Sequence, residues 1–214
     1  FHILPDHEIT NFNKPPSFDK KERMSTFSLD TRTKNILKGL KRSPENKVGF
    51  MLQLGYFKAT SKFFAIKEFR NVDIYYVAEL LEVKVTAKSL KENYRDRTRI
   101  NHSNKILYLL GYEPWTHYED LISEHVVELV AKQSNPKQIR LSTIDLLRDK
   151  KISTPSYDYF CKVISNHYRN FEQKLISKLE SMISDSNKQA LDDLLYEGDY
   201  DQRKLLTDLK TICQ

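Results

Sequence analysis

The sequence predicts an all-α, multi-helical protein, and two observations carry that prediction. Apolar residues recur at three- and four-residue steps along most of the chain, and strand-like alternation is rare. Ser43-Pro44, Asn135-Pro136 and Thr154-Pro155 each pair a capping residue with a proline, the usual signature of helix entry. Glycine is scarce, with 5 in 214 residues, and proline is modest at 7, so long disordered tracts are not expected.

The elements follow in order. Residues 1–18 read as extended, because Pro15 and Pro16 block a helix. Asp30 or Thr31 caps a helix to about Lys41, with Ile36, Leu37 and Leu40 on one face. Pro44 opens an amphipathic helix to about Lys58, which ends in a basic, aromatic-rich loop. Asn71 or Asp73 caps a helix through Leu81, and a short helix follows near 86–94. Another runs from about Arg97 to Leu110 and stops at Gly111, a suitable C-terminal cap. Gly111-Tyr-Glu-Pro-Trp115 then separates two expected helical subdomains, residues 1–115 and 116–214. Beyond it, helices are expected over Tyr118 to Gln133, Pro136 to about Asp149, Pro155 to about Ile183, 187–196 and 200–212.

Hydrophobic content of 39% suffices for packed cores, and no apolar run is long enough to span a membrane. With two cysteines, Cys161 and Cys213, a disulfide framework is not expected and a reducing cytoplasm is the default. The chain opens at Phe1 without a secretory pattern, as expected of a piece cut from a longer protein.

Charge is the main functional signal. The net charge is +6, and residues up to His117 hold more than the whole surplus, while the rest is slightly acidic. Between 31 and 62 stand Arg32, Lys34, Lys38, Lys41, Arg42, Lys47, Lys58 and Lys62 against Glu45 alone. Clustered cations attract phosphate backbones through counterion release. On the amphipathic helix, Gln53 would face the polyanion beside them. A second cluster, Arg95, Arg97, Arg99, His102 and Lys105, alternates with Asn93, Asn101 and Asn104. Arginine grips phosphate or reads guanine, and asparagine reads adenine, so this mixture suits nucleic acid better than a plain lysine face. The alternative for both clusters is a solvated surface.

Two stretches have helix-turn-helix spacing, 31–58 and 137–168. In the second, Lys150 and Lys151 would hold phosphate, and Ser153, Ser156 and Tyr157 crowd the start of the following helix, where base-reading residues sit. No metal-ligand spacing and no catalytic centre is found. Asp145 and Asp149 share a helix face, as nuclease ligands would, but with Arg148 and Lys150 beside them a solvated face is the simpler reading.

Several segments resemble the N-terminal region of Tn-three-type transposases, the bacterial enzymes that move replicative transposons. They are FNKPPSFDKKERMSTFSL (12–29), GFMLQLGYFKATSKFF (49–64), DIYYVAELL (73–81), Tyr94-Arg95, HSNKILYLLGY (102–112) and LLRDKKISTPSYDYF (146–160). The resemblance spans about Phe12 to Leu195. It implies recognition of double-stranded DNA at the transposon's terminal inverted repeats. It also implies that the acidic catalytic triad and its magnesium lie in the remainder of the transposase, so that this chain binds DNA without cutting it and needs no cofactor. The expected partners are transposon ends and the rest of the transposase, with self-association possible, in the bacterial cytoplasm and at the nucleoid when bound. The rival reading is a protein-interaction or dimerisation module, favoured if Phe57, Phe63 and Phe64 lie exposed.

Overall fold

A computed structural model describes residues 3–40, 43–184 and 186–188. The fold is all-α. Ten α-helices are present among the described residues: α1 (Asp6–Asn13), α2 (Lys20–Thr26), α3 (Thr31–Gly39), α4 (Pro44–Thr60), α5 (Asn71–Leu80), α6 (Ala87–Asn93), α7 (Asp96–Leu110), α8 (Glu119–Ala131), α9 (Pro136–Asp149) and α10 (Tyr157–Met182). Among those residues the only β-type pairing is an isolated bridge between Glu113 and Ile152. The expected helices at 187–196 and 200–212 fall almost wholly outside the described residues, as does Cys213.

Local chemistry explains most of the boundaries. Asp30 accepts from the Thr33 amide at 2.6 Å to start α3, and Asn135 accepts from the Gln138 amide at 2.9 Å to start α9. Gly111 ends α7 at φ 67, where a side chain would be strained. Three expectations need correction. The first eighteen residues are not all extended: Pro15 and Pro16 stand beyond the end of α1 and merely stop it. Asp73 does not cap α5; it lies inside the helix with its carboxylate fully buried. Thr154-Pro155 does not open α10, since both residues are buried before the helix starts, and Ser156 Oγ instead accepts from the Tyr159 amide at 3.3 Å.

The core is built around α4. Val48, Phe50, Met51, Leu52, Leu54, Tyr56 and Phe57 point in every direction around this helix and all are buried. An apolar girdle of that kind belongs to a central helix, not an amphipathic one with a solvent face. Helices α2, α5, α6 and α7 pack around it. Two glycines let aromatic rings lie against its backbone. A Cβ at Gly49 would meet the Tyr94 ring at 2.7 Å, and one at Gly55 the Phe27 ring at 2.3 Å. Asp73 ties the surrounding helices to the core: it pairs with Arg23 Nε at 2.8 Å and accepts from the Tyr56 hydroxyl at 2.9 Å.

The chain forms two compact units, residues 1–167 and 168–214. The division expected after residue 115 lies inside the first of them. Backbone hydrogen bonds cross that position: Glu113 N to Lys151 O at 2.9 Å, Ser153 N to Glu113 O at 2.9 Å, and Thr154 N to Ser61 O at 2.7 Å. Glu8 on α1 also pairs with Lys137 on α9 at 2.7 Å. Among the described residues no helix is long and apolar enough to cross a membrane.

Candidate nucleic-acid interface

Helices α3 and α7 flank a surface groove in the first unit. Its walls form two adjoining hollows of about 490 and 700 Å³ that share Gly39, Asn104 and Lys105. From α3 come Arg32, Asn35, Ile36 and Gly39, which recur at helical spacing and so share one face. From α7 come Thr98, Asn101, His102, Asn104, Lys105 and Tyr108. The floor at one end is Asn46 of α4, whose Oδ1 is buried without a hydrogen-bond partner among the described residues. Tyr108 is 85% exposed, an unusual state for an aromatic ring. The groove thus offers two cations, several amides and a free ring, and none of its lining residues is a carboxylate.

His102 contributes little charge. Its ring is buried, edge-on to Phe50, with Nδ1 2.9 Å from the Tyr94 hydroxyl. Burial, reinforced by Lys105, lowers its pKa from 6.5 to about 4. The folded state therefore holds the imidazole neutral. Stability conferred by this site is complete above pH 6.5 and is lost as pH falls through that value toward 4. Denaturant titrations at pH 7 and pH 4.5 should show an acid loss on the order of 2 kcal/mol that shrinks in His102→Gln; an equal acid loss in the variant would remove His102 from that role.

The other expected contacts divide into four sets. Lys34, Lys38, Lys47, Lys58, Arg95, Arg97, Lys150, Lys151 and Ser156 reach solvent, with Lys47 only partly exposed. Lys34 and Lys38 stand on the side of α3 turned away from the groove residues of that helix. Arg99 is partly buried and engaged by Asp96 at 3.0 Å. Gln53, Ser153 and Tyr157 are buried and have no face to offer a duplex, and Lys62 is buried at the wall of a separate cleft. Gln53 is enclosed because α4 is surrounded on all sides. Lys62 turns inward to donate to the Phe12 carbonyl. Ser153 accepts from the Trp115 amide at 3.0 Å, and Tyr157 packs against Phe12 with ring centroids 6.3 Å apart. Lys41 and Arg42 lie outside the described residues.

Burial also removes the two helix-turn-helix readings in their simple form. Helix α4 has almost no free face, and the approach to α10 is buried through Ser153, Thr154, Pro155 and Tyr157, leaving Ser156 and Asp158 exposed. An acid at that helix start opposes a phosphate. Asp145 pairs with Arg148 at 3.6 Å, and among the described residues no group of three or more His, Cys, Asp or Glu could hold a metal ion.

Sequence reasoning passed over Asn35, Asn46, Tyr108, Arg140 and Arg148. Arg140 had a signal: it stands three and seven residues before Thr143 and Leu147, on the stripe that α9 buries, where a cation is out of place.

The first unit is thus an all-α body that carries a cationic, amide-lined groove. The chain belongs to the family described as a domain of unknown function (DUF4158), whose profile matches residues 3–167. It is also similar to the transposase for transposon Tn21 of Escherichia coli, with 25% identity over 189 residues. That match covers 86% of this chain and 18% of the relative, so the chain spans about a fifth of the transposase it resembles. The resemblance to the N-terminal region of Tn-three-type transposases is thereby borne out.

Proposed function

We propose that this chain is the non-catalytic, N-terminal DNA-binding part of a transposase and that it recognises the terminal inverted repeats of its element. The observation that carries the reading is the α3–α7 groove. Arg32 of α3 and Lys105 of α7 line it, together with Asn35, Asn101 and Asn104. Cations supply the sequence-independent attraction to phosphate. Asparagine amides match adenine edges, and an exposed tyrosine ring can pack against sugar or base. Asn46 Oδ1, without a partner among the described residues, is an acceptor suited to an amino group at the groove's end. The relationship to the Tn21 transposase supports transposon ends as the target and the remainder of the transposase as the covalent neighbour. On this reading the chain itself uses no cofactor, magnesium serves the catalytic part of the whole protein, and the bound form resides at the bacterial nucleoid.

The interaction-module alternative weakens. Phe57 and Phe64 are buried, and Phe63 is half-buried against Phe57 at 4.5 Å between centroids. These rings form core, not a docking face.

The test is binding of the purified chain to an inverted-repeat duplex and to a scrambled duplex of equal length. The expected result is at least a tenfold preference for the repeat at 150 mM salt, corresponding to about 1.4 kcal/mol. Equal affinity for both duplexes would refute sequence-specific recognition.

A further inference from the structure

A second cleft in the first unit is lined by two cations that the groove does not explain. It has a volume of about 360 Å³ and lies between the segment after α1, the end of α4 and one face of α9. Lys62 and Arg140 line it, and each is only 7% exposed. Buried cations normally sit beside a carboxylate. Here, among the described residues, neither has an ion-pair partner. Lys62 donates to the Phe12 carbonyl and stands 3.7 Å from the centroid of the Phe12 ring. The Arg140 guanidinium is 5.2 Å from that same ring, and its buried Nε has no acceptor among the described residues. Arg148 and Lys14 add charge at the exposed side, against Asp145, which Arg148 engages, and Glu8 of α1, which Lys137 engages and which also acts on Arg140 through space.

Among the described residues no carboxylate pairs directly with Lys62 or Arg140. Two cations brought together out of water repel each other, and the shared aromatic ring attracts each of them without cancelling their charge. The repulsion shows in Lys62, whose pKa is lowered to about 8 by burial and by Arg140. A bound anion would reverse that shift and supply the acceptor that Arg140 Nε lacks. Arginine presents a planar fork of donors that matches the oxygens of a phosphoryl group, and lysine adds a point charge.

We propose that the cleft formed by Lys62, Arg140, Arg148 and Lys14 is a second phosphate-binding site, separate from the α3–α7 groove. Resting on the DNA reading, the natural occupant is a phosphodiester of the duplex backbone, held for position and not for sequence. The groove would read bases while this cleft fixes register.

The test has two arms on the whole chain, wild type and Arg140→Met. In the first, thermal unfolding is followed in inorganic phosphate and in chloride of equal ionic strength. Phosphate is expected to raise the wild-type midpoint and not that of Arg140→Met. In the second, duplex affinity is measured across a salt series. The slope of log K against log salt is expected to be shallower by about one in Arg140→Met, the loss of a single phosphate contact. Should Arg140→Met fail to fold, Arg148→Ala, at an exposed position, is expected to lose part of both effects. Equal midpoints in phosphate and chloride for the wild type would overturn the proposal. So would a variant that keeps the full slope, and that result would leave the groove untouched. Phosphate stabilisation of a wild type that binds no duplex would instead defeat the DNA reading and keep the cleft as an anion site.

Discussion

Asp73→Ala is expected to destabilise the fold by about 3–5 kcal/mol, the cost of stripping one partner from a buried ion pair. The carboxylate is fully buried and anchors two groups from other elements, Arg23 of α2 and Tyr56 of α4. Arg23 also donates to the Phe18 carbonyl at 2.8 Å, so the network reaches the segment before α2. The Tyr56 hydroxyl in turn accepts from the Arg70 amide at 3.3 Å. Burial, with Asp73 beside it, raises the Tyr56 pKa far above its usual range, so the phenol stays protonated and keeps donating. Removing the carboxylate leaves a guanidinium that is 15% exposed and a buried hydroxyl without their acceptor. Tyr56→Phe keeps the ion pair and loses a single hydrogen bond, so its cost should be smaller, about 1–2 kcal/mol. Urea denaturation of the two variants checks both values. A loss below about 1 kcal/mol for Asp73→Ala would show that the network does not hold α2 to the core.

Gly55→Ala is expected to cost about 3 kcal/mol even though alanine is the better helix former. Propensity favours the substitution by about 1 kcal/mol. Sterics oppose it: the new methyl would lie 2.3 Å from Phe27 Cε1 and 2.5 Å from Cδ1. The Phe27 ring is fully buried, with Phe18 at 5.8 Å and Tyr56 at 5.9 Å between centroids, and has nowhere to retreat. Overpacking of this kind typically costs 1–3 kcal/mol and occasionally more, and here it acts against a ring that its neighbours enclose. Gly39→Ala is the control. Nothing lies within 4 Å of its Cβ, so stability should stay level or rise by up to about 1 kcal/mol. Differential scanning calorimetry separates the two, since each kcal/mol moves the midpoint by roughly 2–4 °C in a chain of this size. A neutral Gly55→Ala would mean that Phe27 does not rest on α4.

The helices were legible because their signals are local. Asp30 and Asn135 start helices and Gly111 ends one, each by chemistry within four residues of itself. The misreading of α1 has the same origin, since Pro15 and Pro16 were taken to govern residues they only follow. What the sequence could not show is which lysine is inside. Lys58 and Lys62 are four residues apart in the same basic run, yet Lys58 is exposed and Lys62 buried. The difference is set by Phe12 and Arg140, which arrive from distant parts of the chain. Gln53 fails for a related reason, because only the packing of four helices around α4 turns its polar face inward. Of the groove, Lys105, Asn101 and Asn104 were readable as an asparagine–cation cluster. Their juxtaposition with Arg32 and Asn35 depends on the fold that brings α3 and α7 to one groove, which no short pattern records.

The central claim is that cations of the α3–α7 groove grip the phosphates of a duplex. It is tested most directly by the salt dependence of duplex binding in the double variant Arg32→Ala/Lys105→Ala. Both side chains are solvent-facing, so the fold should be unaffected. The slope of log K against log salt is expected to be shallower by about two, with the affinity for specific and scrambled duplexes lowered alike. A slope equal to that of the wild type would contradict the account, because it would mean that neither cation displaces a counterion from DNA.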